Sequence, residues 1–131
     1  MKNISGKPLQ GWRVLITRAS KQAGGLAEPL RELGAHVSII TQSQGSLLDL
    51  KQADIAVLGA GDPGFVKPEM LKEGVVLVDA GTSEASGRLS GDADPKCAEV
   101  ASVFTPVPGG IGPIAVAMIF KNLFTLAKLP K

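Results

Sequence analysis

The run Val75-Val76-Leu77-Val78 contains no polar residue. A strand built from it presents apolar side chains to both faces of its sheet, so both faces must be covered. Four more short β-branched runs, at 12–17, 37–41, 54–58 and 103–107, join residues 75–79 to make five strands. Helical patterns lie between them. Strands that alternate with helices and are apolar on both sides predict an α/β fold, a three-layer α/β/α sandwich around a parallel sheet.

The first connector carries Ser20 as an N-cap, Leu26, Leu30 and Leu33 at helical spacing, and Gly34 as a stop. Pro29 falls inside that pattern, so the helix either begins late or loses a hydrogen bond there. The second connector is short. Ser46 followed three residues later by Asp49 suits a two-turn capped helix. Pro68, Pro95 and Pro113 each stand where a further helix can begin. Only twelve residues separate 41 from 54, too few to hold a third strand on the same side of the first. The predicted strand order is therefore 2-1-3-4-5, flavodoxin-like or minimal Rossmann, with ligands expected at the carboxyl ends near the switch point.

A chain of 131 residues suits one domain with one core. Lys and Arg number 14 against 12 Asp and Glu, a formal charge of +2 with the cations scattered, which argues against nucleic-acid binding. The single cysteine, Cys97, has no partner for a disulfide, and the single histidine, His36, has no neighbour at metal-ligand spacing. Residues 1–10 hold no apolar stretch and do not read as a signal peptide. The longest apolar run, 111–120, is about half the length a bilayer requires and includes Pro113. No membrane partner and a cytoplasmic setting are the expectations.

Several candidate sites weaken on inspection. Gly59-Ala60-Gly61-Asp62-Pro63-Gly64 matches G-x-G-x-x-G after a strand, with Asp79 ending the next one. Against a dinucleotide reading, Pro63 removes a backbone donor and Lys67-Pro68 delays the helix that should receive the pyrophosphate. The first strand-to-helix turn, 17–25, is the better phosphate site by topology, but Arg18, Lys21 and Gln22 precede its glycines. Asp92 and Asp94 can be read as paired carboxylates, although Asp94-Pro95 is a helix-capping pair. No nucleophile–base pair emerges, and no catalytic or metal-binding residue is expected.

One motif is distinctive. Thr105-Pro106-Val107-Pro108-Gly109-Gly110-Ile111-Gly112-Pro113 resembles the signature of the bifunctional methylenetetrahydrofolate dehydrogenase/methenyltetrahydrofolate cyclohydrolase family. Gly61-Asp62-Pro63-Gly64-Phe65-Val66, Gly74-Val75-Val76-Leu77-Val78-Asp79-Ala80-Gly81 and Gly91-Asp92-Ala93-Asp94 are similar to it too, so that the likeness runs over about residues 36–128. The resemblance implies an NADP-binding domain whose folate chemistry would sit in a preceding domain that this chain lacks. It carries Arg18 and Ser43 over as contacts to the 2′-phosphate of NADP, without the glycines that admit the pyrophosphate. Residues 9–35, by contrast, resemble the opening of uroporphyrinogen-III synthase, through Gly11-Trp12-Arg13-Val14-Leu15-Ile16-Thr17-Arg18 and Leu30-Arg31-Glu32-Leu33-Gly34-Ala35.

Two resemblances meeting near Ala35 imply a non-catalytic chimeric scaffold, designed or recombined, with residues 1–8 as a flexible arm, 9–35 from one family and 36–128 from the other. The alternative is a truncated NADP-binding domain with weak residual cofactor binding. A third is a small interaction module. Its surface would be the terminal helix, 113–128, where Ile114, Val116, Met118, Ile119, Phe120, Leu123, Phe124 and Leu126 cover most of the circumference. An uncovered helix of this kind implies a homo-oligomer, or a shift that hides it.

Overall fold

The computed structural model describes residues 6–18, 20–41 and 46–130, with the side chain of Ser20 excepted. Five strands form one parallel sheet: β1 (Arg13–Thr17), β2 (His36–Ile40), β3 (Ile55–Leu58), β4 (Val76–Asp79) and, after a hairpin, β7 (Val103–Thr105). Their order is β2-β1-β3-β4-β7, the 2-1-3-4-5 arrangement expected from the short second connector. Register is fixed by pairs such as Val14 with Val37 and Ile55, and Leu77 with Ala56 and Phe104.

The alternation of side chains along each strand splits the core in two. Val14 and Ile16 face helix α1 (Ser20–Glu32) and pack with Ala23, Ala27 and Ala35. Leu15, Ala56, Leu58, Val75 and Leu77 face the other way, onto Leu50, Val66, Leu71 and Cys97. Small residues on α1 let the helix approach the sheet closely. The layer on the opposite face consists of 3-10 turns, Leu47–Gln52, Pro68–Met70 and Pro95–Glu99, where the Ser46 cap and the positions of Pro68 and Pro95 had suggested α-helices. The reason is chain length. Only five residues separate Pro68 from Gly74, whose left-handed φ of 76° ends the segment. The caps are nevertheless those expected: Ser46 accepts from the Leu48 amide and Asp94 from the Lys96 amide.

Helix α1 ends in a Schellman motif. Gly34, at φ 98°, donates to the Arg31 carbonyl while Ala35 donates to Leu30. Leu9 packs on the same layer and donates its N–H to Leu33. A second, antiparallel pair, β5 (Ser83–Ala85) and β6 (Arg88–Ser90), was not expected from the sequence. The last helix, α2 (Ile111–Ala127), starts two residues before Pro113, and among its residues none is buried. The sandwich is therefore closed over β2, β1 and β3 by α1, but α2 adds no cover to the sheet.

Pro29 is the tenth residue of α1 and exposed. It supplies no N–H to the Gly25 carbonyl, which an uninterrupted helix would bond. Replacement by alanine restores that bond and removes the ring clash, offset by a looser unfolded chain. Pro29→Ala is expected to raise stability by about 1–2 kcal/mol in urea titration; an unchanged or lower midpoint would show that the helix has already adapted to the proline.

Candidate cofactor site

The connection leaving β1 runs to β2 on one side of the sheet, and the chain then returns to β3 on the other. The two loops at the carboxyl ends of β1 and β3 diverge, leaving the crevice where α/β sheets take their ligands. A hollow of about 230 Å³ lies there, bounded by Thr17, Arg18, Gln22, Gly59, Ala80 and Gly81. Ala80 and Thr82 also border a larger hollow of about 410 Å³, whose walls are Leu89, Pro106, Val107, Ile111 and Pro113. The distinctive Thr105–Pro113 motif is thus the wall of an almost wholly apolar chamber beside a more polar crevice. A Cβ on Gly110 would overlap the carbonyl of Pro106, so this wall needs glycine at that turn.

Two buried carboxylates hold the floor together. Asp92 accepts from the amides of Ala60 (2.7 Å), Gly61 (3.2 Å) and Asp62 (2.9 Å). Asp79 accepts from Gly81 (2.9 Å), Asp92 (3.1 Å) and Ala93 (2.9 Å), and its own amide donates to the Thr105 hydroxyl. The amides of the G-x-G-x-x-G segment, which would cradle a phosphate in a dinucleotide fingerprint, are therefore occupied by a carboxylate of the same chain. That is the physical reason the motif here is structural. Asp92 was not read as part of this network; Asp94 does cap its 3-10 turn, with Lys67 3.0 Å from it.

Of the residues carried over as 2′-phosphate contacts, Arg18 stands on the crevice wall, exposed, its Nε donating to Gln22 at 3.1 Å. Its side chain lies 3.6 Å from where a Cβ on Gly59 would be, so glycine there leaves the arginine room. Ser43 lies outside the described residues. His36 sits at the amino end of β2, the opposite end of the sheet from the crevice. Cys97 is buried, its thiol donating to the Val66 carbonyl, and burial pushes its pKa up to about 11. Among the described residues no group of three or more His, Cys, Asp or Glu is placed to hold a metal ion, and no helix is long and apolar enough to cross a membrane.

Sheet order and crevice together define a Rossmann-like α/β domain of the nucleotide-binding type. More narrowly, the chain belongs to the tetrahydrofolate dehydrogenase/cyclohydrolase NAD(P)-binding domain family, whose description matches residues 2–131. It is 44% identical to the bifunctional protein FolD of Thermomicrobium roseum over 117 residues, 88% of this chain and 41% of that protein. With FolD of Thermus thermophilus it shares 38% over 131 residues, 97% of this chain and 39% of the relative. The crystal structure of the Campylobacter jejuni bifunctional enzyme superposes with a TM-score of 0.81 at 35% identity, over 87% of this chain and 42% of that one. The FolD of Trypanosoma brucei, complexed with NADP cofactor and an inhibitor, gives 0.75 at 35%, over 89% and 43%. The chain spans about two-fifths of the length of these relatives.

Burial raises the pKa of Asp92, the adjoining Asp79 charge adds to this, and the amides of Ala60, Gly61 and Asp62 oppose it. Because its folded value exceeds the ordinary 3.8, the group's contribution to stability is complete below pH 3.8 and is lost as pH rises through the folded pKa. Asp92→Asn removes that titration, so the stability of the native chain relative to the variant is expected to grow as urea titrations move from pH 7 toward pH 4. An unchanging difference would mean that Asp92 titrates normally. A Cβ on Gly81 would overlap the Asp92 carboxylate. Gly81→Ala is accordingly expected to cost about 2 kcal/mol or more, seen as a lowered melting temperature.

Proposed function

We propose that this chain is an NADP-binding domain of the methylenetetrahydrofolate dehydrogenase/cyclohydrolase type, binding the dinucleotide across the crevice at β1 and β3 without turning over folate by itself. The observation that carries this reading is a pair of adjacent hollows. A polar recess with Arg18 at its mouth shares Ala80 and Thr82 with an apolar chamber walled by the Thr105–Pro113 motif, which suits a phosphorylated ribose at one end and an aromatic ring at the other. Because Asp92 occupies the amides after β3, the phosphates would fall to the turn after β1, where the 13-residue α1 presents its amino end and carries no acid in its first turn. A family relative from Trypanosoma brucei holds NADP on a fold of this kind.

No acid–base chemistry is assigned to the chain. Asp79 and Asp92 spend their oxygens on backbone amides, Cys97 is buried as a thiol, and His36 is at the wrong end of the sheet. The chimeric-scaffold reading has less support. The family description begins at residue 2, ahead of a join near Ala35, and the Thermus thermophilus relative is matched along 97% of the chain.

Arg18 is the group that would distinguish NADP from NAD. Its charge-assisted bond to a 2′-phosphate contributes about 1.5–3 kcal/mol, roughly a 10- to 150-fold preference. Few contacts and an arginine in the turn keep the expected NADP affinity weaker than low micromolar. In calorimetric titration, Arg18→Ala is expected to abolish most of the NADP preference while leaving NAD binding little changed. Absence of saturable binding by either dinucleotide would instead favour a scaffold without a ligand.

A further inference from the structure

The turn after β1 holds its arginine at three points. The Arg18 amide donates to the Ile40 carbonyl at 3.2 Å, which ties the residue to the carboxyl end of β2, where a doubly wound sheet reads the 2′ position of a bound ribose. Its Cγ and Cδ lie 3.6 Å from where a Cβ on Gly59 would stand, so the stem runs over that glycine. Its Nε donates to the side-chain oxygen of Gln22 at 3.1 Å. Gln22 is the third residue of α1 and lines the same hollow.

Two properties of the Gln22 bond bear on an anion. It uses Nε alone, so the N–H groups of Nη1 and Nη2 lie outside it, and these form an edge that can meet a phosphate with two parallel bonds. Glutamine is also neutral. A carboxylate in its place would accept from Nε equally well, but it would offset the charge of Arg18 and repel a phosphate, and the first turn of α1 carries no acid. An exposed arginine otherwise samples many rotamers, which are given up on binding. Restricting the side chain beforehand lowers that loss.

We propose that Gln22 is a positioning residue for the 2′-phosphate of NADP, holding Arg18 by Nε so that its Nη edge serves the phosphate, and thereby setting the preference for NADP over NAD. The inference rests on the dinucleotide reading of the crevice. Gln22 acts through the arginine, so without Arg18 it has nothing to position.

Calorimetric titration of the full chain with NADP and with NAD tests this through the ratio of the two dissociation constants. Gln22→Met, which keeps the length without the amide oxygen, is expected to weaken NADP binding about 3- to 10-fold more than NAD binding. For Gln22→Glu the difference is expected to reach about 10-fold or more. In the Arg18→Ala background, Gln22→Met is expected to leave the ratio where Arg18→Ala alone puts it, which a role in shaping the turn would not produce. A ratio that Arg18→Ala lowers and Gln22→Met does not would overturn the proposal and leave the NADP reading standing. So would a Gln22→Met loss shared equally by both dinucleotides. If the unaltered chain binds neither dinucleotide, the reading of the crevice falls and the positioning role with it.

Discussion

The two carboxylates of Asp79 and Asp92 hold the loops at the carboxyl ends of the strands in place. Six backbone amides from three separate stretches, 60–62, Gly81 and 92–93, converge on four oxygens with almost no access to water. Buried charge of this kind is tolerated only when every lone pair is met, and removing one member leaves the rest unsatisfied in a low-dielectric setting. The network also makes Gly81 and Gly91 obligatory, because a side chain on either would occupy the carboxylate positions. Loops that would otherwise be mobile are thereby fixed at the mouth of the crevice.

Fixing them has a functional cost and a functional gain. The cost is the loss of the amide cradle after β3 as an anion site, since the chain has filled it with its own carboxylate. The gain is shape: Ser83 bonds to the Gly61 carbonyl at 3.0 Å, and Thr17 receives the Gly59 amide, so the crevice floor is rigid before any ligand arrives. A preformed recess loses less freedom on binding than one that must be ordered. In the function proposed above, specific recognition would fall to the turn after β1, where Arg18 and Gln22 line the crevice.

The sheet was legible because its evidence is local. Unbroken runs such as Val75–Val78, and a connector too short for another strand, fixed both strand identity and order. Helix type was less legible: Pro68 and Pro95 mark a start equally well for a 3-10 turn and an α-helix, and only the distance to Gly74 and Val100 separates them. The hairpin had a readable signal that was missed. Ser86 and Gly87 both adopt positive φ, 54° and 72°, the two-residue turn that joins short antiparallel strands. The Asp92 network had no such signal, since its donors lie 30 to 32 residues away and follow from the fold. Arg18 entered as a candidate through a motif resemblance and lies on the crevice wall, whereas the apolar chamber emerged only once the Thr105–Pro113 segment was seen opposite Ala80 and Thr82.

Cys97 gives the molecule an internal clock. Its sulfur is shielded by Val66 and the surrounding core and held as the neutral thiol, its pKa near 11, so the nucleophilic thiolate is scarce in the native state at physiological pH. A reagent in solution reaches that atom only when the layer of 3-10 turns lifts from the sheet. The rate at which the chain is alkylated therefore measures how often that layer opens, with no competing thiol elsewhere in the sequence to obscure it.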